Sequence, residues 1–167
     1  MKDLLKKLNA CEEAREWAAD KSWEEVYNTC HRGDWLLWLF RKTNPDDLQL
    51  LTLAKGHCAN TVRHLMKDER SIKAVDAAIA FGLSEITKDE LDAAAADAAA
   101  AYAAAYAAAY AAYPDDAAAY AAYAAADAAA AAYAAAADAA AKKENQQQTA
   151  DIVRKYISID KFNIKLN

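Results

Sequence analysis

The chain has little backbone punctuation: 3 Gly and 2 Pro in 167 residues. An all-β architecture needs such residues at its many turns, so this scarcity argues against one. There is no Gly-rich phosphate loop, no Gly-x-Ser-x-Gly elbow, no His-Glu-x-x-His and no Cys-x-x-Cys, so nothing in motif form supports phosphate, hydrolase or zinc chemistry. The three cysteines, Cys11, Cys30 and Cys58, are odd in number and lack a pairing motif. They read as free, buried thiols in a reducing setting. No charged start leads into an apolar run and a cleavage site, which predicts a cytoplasmic chain. The charge-free stretch Ala98 to Tyr113 holds only Ala and Tyr and is too short and weakly apolar for a membrane span.

Residues 93–141 lack Lys, Arg, Ser, Gly and Leu entirely; they are 36 Ala, 7 Tyr, 5 Asp and Pro114. Ala is the strongest helix former, so the segment predicts two long helices interrupted at Tyr113-Pro114-Asp115-Asp116. Charge is distributed to match. Residues 1–88 carry 14 basic and 14 acidic side chains, residues 89–141 carry 8 acidic and no basic ones, and residues 142–167 carry 6 basic and 3 acidic. Negative charge gathered on one element disfavours nucleic acid and favours a basic protein partner.

At about 100° per residue, Tyr102, Tyr106, Tyr110 and Tyr113 fall within an arc of about 80°, with Asp92 at its edge and Asp97 beyond the other side. In the second helix Asp116, Tyr120, Tyr123, Asp127 and Asp138 share an arc of about 60°, and Tyr133 departs from it. These stripes have two readings. The tyrosines are core, filling gaps between slender alanine faces, or they form a rigid recognition face with the aspartates. Thr is absent from the segment, which leaves only a partial match to Ala-rich ice-binding helices.

The rest of the chain also reads as helix. Residues 3–19 place Leu4, Leu5, Leu8, Cys11, Arg15 and Ala18 near one face. Ser22-Trp23-Glu24-Glu25 is a capping box opening a helix from Trp23 to about Thr29. Arg32-Gly33-Asp34 reads as a break, with Asp34 capping Trp35 to Arg41 and Arg32 pairing with a carboxylate or a helix C-terminus. Asn44-Pro45-Asp46-Asp47 starts a helix to about Met66, with Gly56 as its weak point. Ser71 starts another, ending near Phe81-Gly82, and Thr87-Lys88-Asp89-Glu90 is a second capping box. Residues 158–167 alternate at Phe162, Ile164 and Leu166, a strand-like pattern that predicts a docked tail, a disordered end or an edge used in assembly.

The stretches Cys11-Glu-Glu-Ala-Arg-Glu-Trp17 and Trp23-Glu-Glu-Val-Tyr-Asn-Thr-Cys30-His-Arg-Gly-Asp-Trp-Leu-Leu-Trp38-Leu resemble the immunity protein 5 family of bacterial polymorphic toxin systems. The Ala-rich segment punctuated by Tyr and Asp is similar to that family as well. The resemblance extends to about residue 157, and related sequences occur in phages. It implies a non-enzymatic, intracellular protein that binds and neutralises a toxin domain, and it brings no catalytic residue with it.

The remaining constellations have ordinary readings beside sharper ones. Cys30-His31, His57-Cys58 and His64 lack metal-ligand spacing and read as buried thiols and hydrogen-bonded rings. Trp17, Trp23, Trp35 and Trp38 read as core, with about one of them partly exposed as a binding anchor. Asp46-Asp47 and Asp115-Asp116 read as helix starts, not acid/base dyads.

Together these readings predict an all-α fold: a compact bundle of about six or seven helices with two long Ala/Tyr-rich helices along one side. The expected organisation is one domain over residues 1–157 followed by a short extended tail, 158–167. The expected function is inhibition of another protein without enzymatic activity, metal or cofactor. The partner-binding face would comprise Asp92, Asp97, Tyr102, Tyr106, Tyr110, Asp116, Tyr120, Tyr123, Asp127 and Asp138. One alternative is a phage-encoded inhibitor of a bacterial defence nuclease. The other is an enzyme or metal-binding protein built on Arg15, Arg32, Asp34 and the His/Cys set. Neither nucleic acid nor membrane is an expected partner, and the sequence leaves the oligomeric state open.

Overall fold

Local capping decides where several helices begin. The Glu25 backbone N–H donates to the Ser22 hydroxyl at 3.1 Å, and the Ser22 N–H donates to the Glu25 carboxylate at 2.7 Å. Two donors left open by the first helical turn are thereby satisfied reciprocally. Thr87 and Glu90 repeat the arrangement at 2.8 and 3.3 Å, so both boxes form as the sequence predicts. The computed structural model describes residues 1–66, 68–111 and 139–164, and only the backbone within 101–111 and 139–142. Among the described residues the protein is all-α. The helices are α1 (Lys2–Lys7), α2 (Glu12–Trp17), α3 (Trp23–Thr29), α4 (Gly33–Thr43), α5 (Leu48–Asn60), α6 (Glu69–Gly82), α7 (Lys88–Ala111) and α8 (Ala139–Tyr156). Short 3-10 turns occupy Arg63–Leu65 and Ile159–Phe162. Among the described residues, no helix is long and apolar enough to cross a membrane.

Several boundaries differ from the sequence reading, each for a local reason. The expected helix over 3–19 is two helices, because Asn9 adopts a left-handed conformation with φ 59°. Asn tolerates that region better than most side chains. There the Ala10 N–H donates to the Leu5 carbonyl at 2.9 Å, closing α1 and turning the chain. Asp34 does not cap α4: the helix starts at Gly33, and the Asp34 carboxylate is held by Arg32. Asn44 ends α4 instead of starting α5, whose cap is Asp47, accepting from the Leu50 N–H at 3.2 Å. Gly56 does not interrupt α5, which stops at Asn60. α6 begins before Ser71, with Asp68 accepting from the Arg70 N–H at 2.8 Å.

Packing runs in sequence order over part of the chain. α5 packs on α6 and α6 on α7, while α8 returns to pack on α4 and α5. The core gathers Leu36, Leu39 and Phe40 from α4, Leu51 and Ala54 from α5, and Ala150, Val153 and Ile157 from the last segment. Those last three are fully covered at i, i+3 and i+7, the period of one helix face. Each large apolar side chain removed from water in this way contributes roughly 1.5–3 kcal/mol.

The C-terminal segment completes the core. Its strand-like alternation is not realised among the described residues: residues 159–162 form a 3-10 turn, and Asn163 closes it at φ 48°, while Leu166 lies outside the described residues. Phe162 is 0% exposed. Its ring lies 5.0 Å from Trp23, 5.3 Å from Phe40 and 5.8 Å from Tyr27. Of the three outcomes open for the tail, residues 158–164 are docked. Arg154 fastens the same region. It donates to the Tyr27 carbonyl at 2.7 Å, to the Cys30 carbonyl and to Asp151 at 2.9 Å, while the Tyr27 hydroxyl donates to the Ile157 carbonyl at 3.0 Å. The end of α3, whose carbonyls would otherwise lack partners, is thus closed by α8.

Candidate functional site

The acidic element is α7. Its inward stripe is Leu91, Ala94 and Ala98, half-buried at helical spacing, while Asp89, Glu90, Asp92 and Asp97 are exposed. Of the ten residues expected to form a partner-binding face, Asp92 and Asp97 stand on described, exposed surface. Tyr102, Tyr106 and Tyr110 lie on the helical backbone of α7 with their side chains outside the description. Asp116, Tyr120, Tyr123, Asp127 and Asp138 lie outside the described residues. Asp92 is not wholly free, since it pairs with Lys88 one turn earlier; its side chain is still 58% exposed. The Asp97 charge acts on Arg70 of α6, whose guanidinium is chiefly held by Asp68. Four exposed carboxylates against one ammonium leave this part of α7 negative.

A second site lies between α2 and α4. Ala14 and Trp17 of α2, and Ala18 just after it, face Trp35, Trp38 and Leu39 of α4 across a cavity of about 530 Å³. The cavity exists because the α2 side presents alanines where leucines would close the gap, whereas protein interiors are otherwise close-packed. Its polar lining is Arg32 with Asp34, and Asn9. The guanidinium donates to both carboxylate oxygens at 2.8 and 2.7 Å and lies 4.6 Å from the Trp35 ring centroid. Burial alone would raise the Asp34 carboxyl, but the hydrogen bonds and charge of Arg32, with the Asp34 and Trp35 backbone N–H groups, together hold it below the ordinary carboxylate range. Glu13 approaches the free end of Arg32 at 3.7 Å.

The structure therefore brings together Arg32 and Asp34, two of the residues in the enzyme or metal alternative. Arg15 does not line this cavity, and its Nε is buried without a hydrogen-bond partner among the described residues. The His and Cys residues are scattered. His57 stacks on Tyr156 with centroids 4.3 Å apart, and burial with the Lys155 charge lowers its pKa. His31 lies against Trp17 and Trp35, and His64 is exposed. Among the described residues, no three His, Cys, Asp or Glu side chains gather as a metal site. All four tryptophans pack on the core but stay partly exposed, where about one was expected. The cavity was missed in the sequence. No helical period signals it, since only Ala14 of its small residues lies within α2, while Ala10 precedes the helix and Ala18 follows it.

The expectation of three buried thiols also needs correction, since Cys11 is exposed, Cys30 buried and Cys58 partly buried. Burial pushes the Cys30 thiol up and the Cys58 thiol up to about 11. Thiolate is the reactive form. In native protein, iodoacetamide at about pH 8 is expected to alkylate Cys11, leaving Cys30 and Cys58 unmodified until denaturant is added. Peptide mass spectrometry reads the order, and early loss of the Cys58 thiol would contradict it. No family model matches the chain, and no curated protein or solved structure matches it either.

Proposed function

We propose that the chain is a non-enzymatic inhibitor that binds and neutralises a toxin domain by laying the acidic face of α7 and the alanine-rich segment against a basic surface. The observation that carries this reading is the charge on α7: Asp89, Glu90, Asp92 and Asp97 are all exposed, and Lys88 is the sole basic side chain in Lys88–Ala111. The resemblance of the Cys11–Trp17 and Trp23–Leu39 stretches to immunity proteins supports the same reading. Opposite fields steer encounter and raise association rates, and salt screens them. Alanine-rich surface adds rigidity, since Ala has no side-chain rotamer entropy to lose on binding.

The test begins with capture of the partner from the native host and its identification by mass spectrometry, followed by co-expression to ask whether the chain protects cells from it. Raising salt from about 0.05 to 0.5 M is expected to slow association about tenfold. Combined Asp92→Asn and Asp97→Asn substitution is expected to slow it further at low salt. Protection with association indifferent to both would leave the inhibitor reading standing and remove the acidic face from it. A captured partner whose toxicity the chain does not relieve would remove the inhibitor reading.

A further inference from the structure

We propose that the cavity between α2 and α4 is a binding site for a small neutral molecule with a flat, apolar body and a hydrogen-bond-accepting oxygen, such as an aromatic amide. This inference does not depend on the acidic face of α7. Small-molecule sites are concave, mostly apolar and roughly 300–1,000 Å³ in volume, with few polar groups to set orientation. The cavity has about 530 Å³ and a mostly apolar wall of alanine, leucine and tryptophan, with Arg32, Asp34 and Asn9 as its polar lining.

The polar end defines what can enter. The Nε and Nη2 of Arg32 are both committed to Asp34. Among the described residues its Nη1 has only Glu13, at 3.7 Å, beyond hydrogen-bonding distance. Arg32 is thereby locked by its carboxylate and by the Trp35 ring while retaining donors for an oxygen of the ligand. An anionic ligand would meet the Asp34 carboxylate beside that one guanidinium. A cationic ligand would meet the Arg32 guanidinium, which lies over the Trp35 ring. The neutral acceptor is the species that neither charge set repels, and the tryptophans offer its ring edge-on and stacked contacts.

The test compares three probes of equal body: naphthamide, naphthoate and naphthylmethylammonium. They are titrated into the full chain and followed by the tryptophan indole and backbone amide N–H signals in NMR. Naphthamide is expected to shift the signals of Trp17, Trp35 and Trp38, to bind about tenfold more tightly than either charged probe, and to slow alkylation of Cys11, which also lines the cavity. Ala14→Leu, filling the cavity, is expected to weaken it about tenfold with thermal unfolding retained. Arg32→Lys, which keeps the charge and loses the fork, is expected to erase the preference for the amide. Any of four results overturns the proposal. These are no naphthamide shift at its solubility limit, equal affinity for all three probes, shifts centred on the exposed Leu65 or Leu83, or undiminished binding to a folded Ala14→Leu variant. Should that variant fail to fold, Ala10→Leu replaces it, and protection of Cys11 in the unaltered chain decides independently.

Discussion

Phe162→Ala is expected to destabilise the protein by about 3–5 kcal/mol, the range for deleting a buried aromatic ring. Against the roughly 5–15 kcal/mol that holds a typical domain together, that is a large share. The ring is fully covered and touches three aromatic side chains from two helices: Trp23 and Tyr27 of α3 and Phe40 of α4. Removing it leaves a void in a place where neighbours cannot collapse freely, because Arg154 and the Tyr27 hydroxyl fix α3 against α8. Phe162→Leu, which keeps most of the volume, is expected to cost far less. Urea unfolding followed by tryptophan fluorescence measures both. A loss below about 1 kcal/mol for the alanine variant would mean that the tail is not part of the core, since surface changes fall in that range.

What the sequence discloses here is mostly what is local. The Ser22/Glu25 and Thr87/Glu90 boxes involve four consecutive residues, so their geometry follows once the helix begins. The break at Asn9 is hidden, because Leu4, Leu5, Leu8, Cys11 and Ala18 keep helical spacing whether or not one residue turns left-handed. Asp34 is a reasonable cap by residue type, yet Arg32 two positions earlier competes for the same carboxylate, and a bidentate ion pair is the stronger partner. The alternation around Phe162 and Ile164 suits a strand, but a docked turn also places alternate apolar residues inward. Arg154 meets carbonyls more than a hundred residues away, and no periodicity reports such a contact. The candidate sites divide similarly. The negative charge of α7 is visible in composition, whereas the cavity arises only when Ala10, Ala14 and Ala18, in and around α2, are set opposite the tryptophans of α4.

Gly82→Ala and Gly33→Ala are each expected to destabilise the protein by about 1–3 kcal/mol, the cost of overpacking, and the sign is the informative part. In an open helix, Ala in place of Gly stabilises by roughly 0.5–1 kcal/mol. At Gly82 a Cβ would sit 2.4 Å from Leu53 Cβ and 2.7 Å from Leu53 Cα, so α6 could accept it only by moving away from α5. At Gly33 it would sit 2.6 Å from the Thr149 carbonyl carbon and 2.8 Å from the Ala150 nitrogen. Both are backbone atoms of α8, so no side-chain rotation relieves the contact. That crossing carries Ala150 and Val153, which are fully covered, into the core. Displacing α8 by the needed fraction of an ångström loosens them and the Arg154 clamp together. Hydrogen exchange separates the two variants: Gly33→Ala is expected to speed exchange at the Ala150–Val153 amides, and Gly82→Ala at those around Leu53. Stabilisation by either change would show that helix propensity outweighs the close approach, and that the helices at that crossing lie further apart than their glycine requires.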